Sequence, residues 1–206
     1  MLYPGSFVCS YKGKPWWPLG EFFARLFGIV LIVRQCMEYP FKWVKCDHVR
    51  LYVGYIILAR IEKTYPALYK RFLPQADENG GIHLGFHFTD PVSEIFVWKK
   101  WMTDPKYARI FRPKKYIKID PVDALEYCNR YEGIPYDKGE LLDLGFAIPG
   151  FFGFSEDWYV CSTGSRLVGE KIYKMNLIPG VAVSETLPCG FAHSIVLLEY
   201  FDDEEG

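Results

Sequence analysis

The sequence predicts one α+β domain: an antiparallel β-sheet with helices packed on one side. Residues 48–59, "HVRLYVGYIILA", alternate Val49, Leu51 and Val53 with His48, Arg50 and Tyr52. Residues 82–88, "IHLGFHF", set Ile82, Leu84, Phe86 and Phe88 against His83, Gly85 and His87. A period of two with one apolar face marks a half-buried strand. At Asp120-Pro121 the period changes, and Val122, Leu125 and Cys128 recur at helical spacing until Gly133. Asp is a favoured N-cap and Pro a favoured first helical residue.

The other elements follow in order. "YPGSFVCSY" (3–11) is a turn leading into a short strand, and residues 20–36 carry a dense apolar helix pattern after "GKPWWPLG". Residues 61–73 are helical or irregular, and "DENGG" (77–81) is a turn. "SEIFVWKKW" (93–101), "KYARIFRP" (106–113) and "KYIKI" (115–119) read as further strands. "IPYDKGELLDLGFAIPGFFGF" is a loop rich in Gly and aromatics, and a second helix begins at or just after Cys161 and runs to about Lys174. "HSIVLLEYF" (193–201) closes the sheet and "DDEEG" (202–206) is a solvated acidic tail. Without repeat or linker, residues 1–206 form one domain.

Half of the 206 residues are hydrophobic and 18% aromatic, enough for a large core. A net charge of −1 argues against a surface given over to nucleic acid. The six cysteines are scattered, without zinc or disulfide spacing, and no signal-peptide pattern opens the chain, so reduced thiols and cytoplasmic synthesis are expected. "FFARLFGIVLIV" (22–33) is shorter than the roughly 20 apolar residues of a transmembrane helix and is interrupted by Arg25. It reads as a core helix, with a lipid-facing surface helix as the alternative. No nucleotide loop, zinc spacing or calcium loop occurs, so no cofactor is expected.

"WYVCSTGSRLVGE" (158–170) puts Cys161 where an apolar segment becomes a helix. A helix start favours a thiolate through unpaired N–H groups and the dipole, lowering the pKa below the ~8.5 of a free cysteine. A cysteine nucleophile also needs a base and a group to orient it. His48, His83 and His87 lie on polar strand faces, with Gly85 leaving room for a close approach. A lone histidine in such a place is usually a hydrogen-bonded structural residue; several near a helix-start cysteine form a constellation.

"YPGSFV", "CDHVRLYVG", "GFHFTDP", "EGIPYD" and "YVCSTGSRLV", in that order over residues 3–175, resemble the NlpC-type papain-like cysteine peptidases. The order is that of their circularly permuted branch, the YiiX-like and lecithin:retinol acyltransferase-like proteins. The resemblance implies a papain-like fold with Cys161 as nucleophile at a helix N-terminus, and His48 as the base facing it. It implies His87 as orienting group and Tyr136 near the nucleophile on the substrate side. His87 stands where relatives often carry a carboxylate, with Asp90 as the fallback. Thr163 replaces the acidic residue usual after "CS". His193 is the rival base, since "NLIPGVAVSETLPCGFAHSIVLLEY" imitates the unpermuted order.

Such chemistry acts on peptide, cell-wall, isopeptide or acyl substrates, as peptidase, amidase, acyltransferase or thioesterase. The alternative class is a papain-like domain without turnover that serves as a binding or assembly protein, for example in a viral or phage particle, in which case the host cytoplasm or the virion is its location. Residues 98–118 interleave basic and aromatic side chains, the equipment of single-stranded nucleic-acid binding. A solvated hairpin face with its aromatics in the core is the simpler reading.

Overall fold

Ile95, Phe86, Leu51, Phe7 and Phe111 form one cross-strand row, each opposite the next, and all are buried. The row passes through five strands: β1 (Phe7–Ser10), β2 (His48–Ile57), β3 (Gly81–His87), β4 (Glu94–Val97) and β5 (Ala108–Pro113). A sixth, β6 (Leu197–Tyr200), pairs with β5. The sheet order is β4-β3-β2-β1-β5-β6 and every pairing is antiparallel. The structure, a computed structural model, describes residues 2–10, 48–105, 108–115, 117–139, 159–194 and 196–200. The expected helix over 20–36, the apolar stretch 22–33, most of the Gly- and aromatic-rich loop and the tail 202–206 lie outside the described residues.

Helix α1 (Pro66–Phe72) adds Leu68 and Phe72 to the core. The two longer helices, α2 (Pro121–Arg130) and α3 (Cys161–Tyr173), both pack on β2 and on each other. Asp120 caps α2 as its sequence suggests, its Oδ1 accepting the Val122 N–H at 2.8 Å. Ala124, Leu125 and Cys128 of α2 and Val168 and Ile172 of α3 join Val49, Leu51 and Val53 in the main core.

The alternation read from β2 and β3 therefore holds, with one interruption. The register shifts between Tyr52 and Gly54, where Gly54 has φ +132° and a Cβ would meet the Pro121 ring at 2.8 Å. The opposite face is not simply polar: Val8, Tyr52, Trp98, Ala108 and Ile110 make a second buried cluster there.

Four strand expectations need correction. β4 is shorter than residues 93–101 and gives way to a 3-10 turn at Lys100–Thr103. β4 and β5 do not form a hairpin, because β3, β2 and β1 lie between them. The basic strip of residues 98–118 begins after β4 and takes in the 3-10 turn and β5, and Trp98 is buried while Trp101 is exposed. Residues 117–119 form no strand; Ile117 and Ile119 pack on the core without a ladder partner among the described residues. The last strand begins at Leu197 rather than His193, because residues 190–193 form a short helix, α4 (Gly190–His193), that seats Phe191 against Phe7 with ring centroids 4.8 Å apart.

How closely α3 lies on the sheet is set by two glycines. A Cβ at Gly164 would sit 2.4 Å from the Phe88 ring, and one at Gly169 would sit 2.2 Å from Phe7 Cζ. Both rings are fully buried and cannot swing away. Gly169→Ala should therefore overpack the interface and cost about 1–3 kcal/mol, read as a lower urea midpoint with unchanged slope. An unchanged midpoint would show that the helix stands further from the sheet than described.

Candidate functional site

Successive contacts along α3 give its direction over the sheet. Ser165 Oγ donates to the Val49 carbonyl at 3.4 Å, Gly169 meets Phe7 (opposite Leu51), and Tyr173 lies over Gly5, whose N–H bonds the Tyr52 carbonyl. The helix thus advances in step with β2. Its start, one turn before Ser165, lies toward the end of β2 that begins with His48. Gly164 packs on Phe88, directly after His87, so the helix start also adjoins the end of β3.

Cys161 is the first residue of α3 and is buried. Thr163, three residues beyond the N-cap Val160, accepts the Val160 N–H through Oγ1 at 3.2 Å. That is the back-bond of a capping box, so threonine performs at this position a task that an acidic side chain performs elsewhere. Ser162 Oγ is buried in the same turn without a hydrogen-bond partner among the described residues.

The two histidines of the polar strand faces meet. His48 Nε2 and His87 Nδ1 are 3.0 Å apart, and the rings stand edge to face at 78°. His87 Nε2 lies 3.0 Å from Glu94 Oε1. These bonds fix the protons. A carboxylate only accepts, so His87 carries its proton on Nε2 and offers Nδ1 as acceptor; His48 then donates from Nε2, and Nδ1 is the accepting nitrogen of its neutral ring. The result is a one-directional chain, Glu94 to His87 to His48, that ends in a lone pair. Strand alternation sends both imidazoles to the face opposite Val49 and Phe86, and the His87 ring lies 4.6 Å from that of Phe96 there, tilted at 51°. Any approach of His48 to Cys161 therefore runs round the first residue of β2.

Burial disfavours the protonated form of both rings. Burial is the main cause that lowers the His48 pKa well below its ordinary value, with Arg50 and His87 adding to it. Burial also lowers His87, against the opposing hydrogen bond to Glu94. Glu94 is held below the usual carboxylate range chiefly by the His87 bond.

The remaining expected residues are distributed as follows. Tyr136 bridges to Tyr159, two residues before Cys161, so it lines the segment that delivers the thiol. Asp90, the fallback orienting group, forms an ion pair with Lys138 at 3.1 Å, and Glu94 occupies the place beside His87. His193 ends α4, whose Phe191 packs on Phe7 and which Ser194 ties to the Leu177 carbonyl; this lies toward the later turns of α3. His83 bonds the Tyr52 hydroxyl at 2.6 Å, apart from the His48–His87 pair.

Glu94 was not singled out from sequence. The available signal was its outward place in "SEIFV", but pairing it with His87 requires the β3–β4 register. Arg166 was also missed. It is buried, with Nε donating to Glu170 at 2.8 Å and Nη1 to Val181 O, Ala182 O and Thr186 Oγ1. Its Nη2 reaches Asn176, which fastens residues 176–186 to α3.

Among the described residues no group of three or more His, Cys, Asp or Glu side chains is arranged to hold a metal ion, and no helix is long and apolar enough to cross a membrane. No family model, curated protein or solved structure matches the chain.

The lowered histidines couple stability to pH. An unfolded histidine takes up its proton near pH 6.5, whereas folded His48, His83 and His87 resist protonation. Below that pH the unfolded chain binds more protons, so stability falls as pH falls. Asp77, Asp120 and Glu94, with lowered pKa values, add their loss in a more acidic window, below about pH 4.5. Urea unfolding should show stability already declining between about pH 7 and 5, and His48→Gln should flatten that decline. A flat wild-type profile over this interval would contradict the desolvated pair.

Proposed function

We propose that this protein is a thiol-dependent hydrolase of the permuted papain-like kind, acting at an amide or acyl carbonyl. Cys161 is the nucleophile, His48 the general base, His87 the orienting group, and Tyr136 a substrate-side residue. The observation that carries this reading is the 3.0 Å His48–His87 hydrogen bond. It engages His48 Nε2 and makes Nδ1 the accepting nitrogen, on the residue that opens β2, toward which the start of α3 lies.

In the reaction, His48 Nδ1 takes the Cys161 proton as Sγ attacks the carbonyl carbon. The Cys161 backbone N–H, in the first turn of α3, suits the developing oxyanion. The tetrahedral intermediate collapses to a thioester, and His48 returns its proton to the departing amine or alkoxide. Water activated by the same nitrogen then releases the acid; an amine or alcohol in place of water gives transfer.

A binding or assembly domain without turnover is the second reading, favoured by the burial of Cys161 at 3% exposure. Reactivity separates the two. At neutral pH iodoacetamide should modify Cys161 ahead of Cys9, Cys128 and Cys189, the Cys128 thiol being pushed strongly upward by burial. His48→Ala should slow Cys161 labelling and reduce turnover by at least ~100-fold on a panel of peptidoglycan fragments, lysine isopeptides and acyl thioesters. Cys161→Ala should abolish turnover. Labelling of Cys161 no faster than Cys9, with no substrate consumed, would establish the binding domain instead.

A further inference from the structure

A base can work in a buried site only if its proton is on the correct nitrogen, and neither His48 nor His87 determines this alone. Each neutral imidazole can carry its proton on either ring nitrogen, and a histidine pair can run its hydrogen bond in either direction. In the reverse direction His87 Nδ1 would donate to His48 Nε2, and His48 would carry its proton on Nδ1. A protonated Nδ1 cannot accept from a thiol.

Glu94 breaks this symmetry. Its Oε1 lies 3.0 Å from His87 Nε2, and a carboxylate has no proton to give. It sits on β4 directly opposite His87 in the ladder, so the backbone register holds the two side chains together. The Glu94 side chain is about half exposed, while His87 is largely buried. The charge thus remains solvated and its polarising effect passes inward through His87. Arg50 of β2 acts on both imidazoles and Arg71 of α1 on Glu94. Arg71 is itself bound to Glu132 and the Ile95 carbonyl, which leaves the Glu94–His87 bond intact.

We propose that Glu94 is a positioning residue: through His87 it fixes His48 as the Nε2–H tautomer and so presents Nδ1 as the proton acceptor. The tautomer assignment stands on the geometry, and only its catalytic consequence rests on the function proposed above. Glu94 touches no substrate in this role. It supplies the negative charge that His87 lacks, one bond further out than a carboxylate in direct contact with the base.

Side-chain nitrogen NMR of the full-length protein labelled with ¹⁵N-histidine tests the assignment without any substrate. Wild type should show His48 and His87 each as a single Nε2–H tautomer at neutral pH. Glu94→Ala should convert both to tautomer mixtures, while Glu94→Gln, whose amide oxygen can still accept, should restore the single forms. On any substrate that wild type turns over, Glu94→Ala should lower kcat about 10- to 100-fold with KM little changed, the range for loss of a group that orients an imidazole. Urea unfolding of each variant would separate this from loss of the fold. Tautomers unchanged in Glu94→Ala would overturn the proposal, even in an active enzyme. Tautomers that shift in a protein with no turnover would uphold the relay and remove the hydrolase reading.

Discussion

The close seating of α3 on the sheet is the contact on which the other features depend. Gly164 and Gly169 present backbone where any side chain would strike Phe88 or Phe7. The distance is paid for by two residues of poor helix propensity in one helix, each about 1 kcal/mol worse than Ala. In return Val168 and Ile172 reach the row of β-strand side chains, and the helix start falls at the β2 end that begins with His48. A helix standing one methyl group further out would keep the fold class and lose the alignment of its first turn with that end.

Arg166 works on the other side of the same helix. A buried guanidinium is costly unless its donors are matched, and here Glu170 neutralises it while carbonyls, Thr186 and Asn176 take the other N–H groups. Glu170 also accepts the Leu177 N–H, and Asn176 accepts the Ile178 N–H. The segment after α3 is therefore bonded to the helix by polar groups, where Leu177 and Ile178 alone would fix depth but not direction. Removing one member would strand a buried charge, which is why such a hub specifies a single arrangement.

The two faces of the sheet divide the labour. The helix-covered face supplies most of the apolar burial, and the opposite face combines a smaller apolar cluster with the imidazole chain. Phe96 and Trp98 lie over Gly85, where a Cβ would come within 2.6 Å of each ring. Their rings cover the strand between His83 and His87, and burial lowers the pKa of both histidines. The carboxylate of this chain stands at the rim, where Glu94 meets solvent.

The sequence by itself determined which residues alternate, where α2 is capped, and that Cys161 opens a helix, because each is decided within a few neighbouring residues. Periodicity also put His48 and His87 on the outward faces of two strands. Their meeting, and the place of Glu94, depended on the antiparallel registers of β2–β3 and β3–β4, which arise from pairing across loops of unrelated length. The same reason explains the misjudged hairpin: "SEIFVWKKW" and "KYARIFRP" are neighbours in sequence, yet β1 inserts beside β5 and leaves β4 at the far edge. Strand identity is local chemistry, while strand order is a property of the whole chain's burial, and the proton-bearing nitrogens of the candidate site follow from the second.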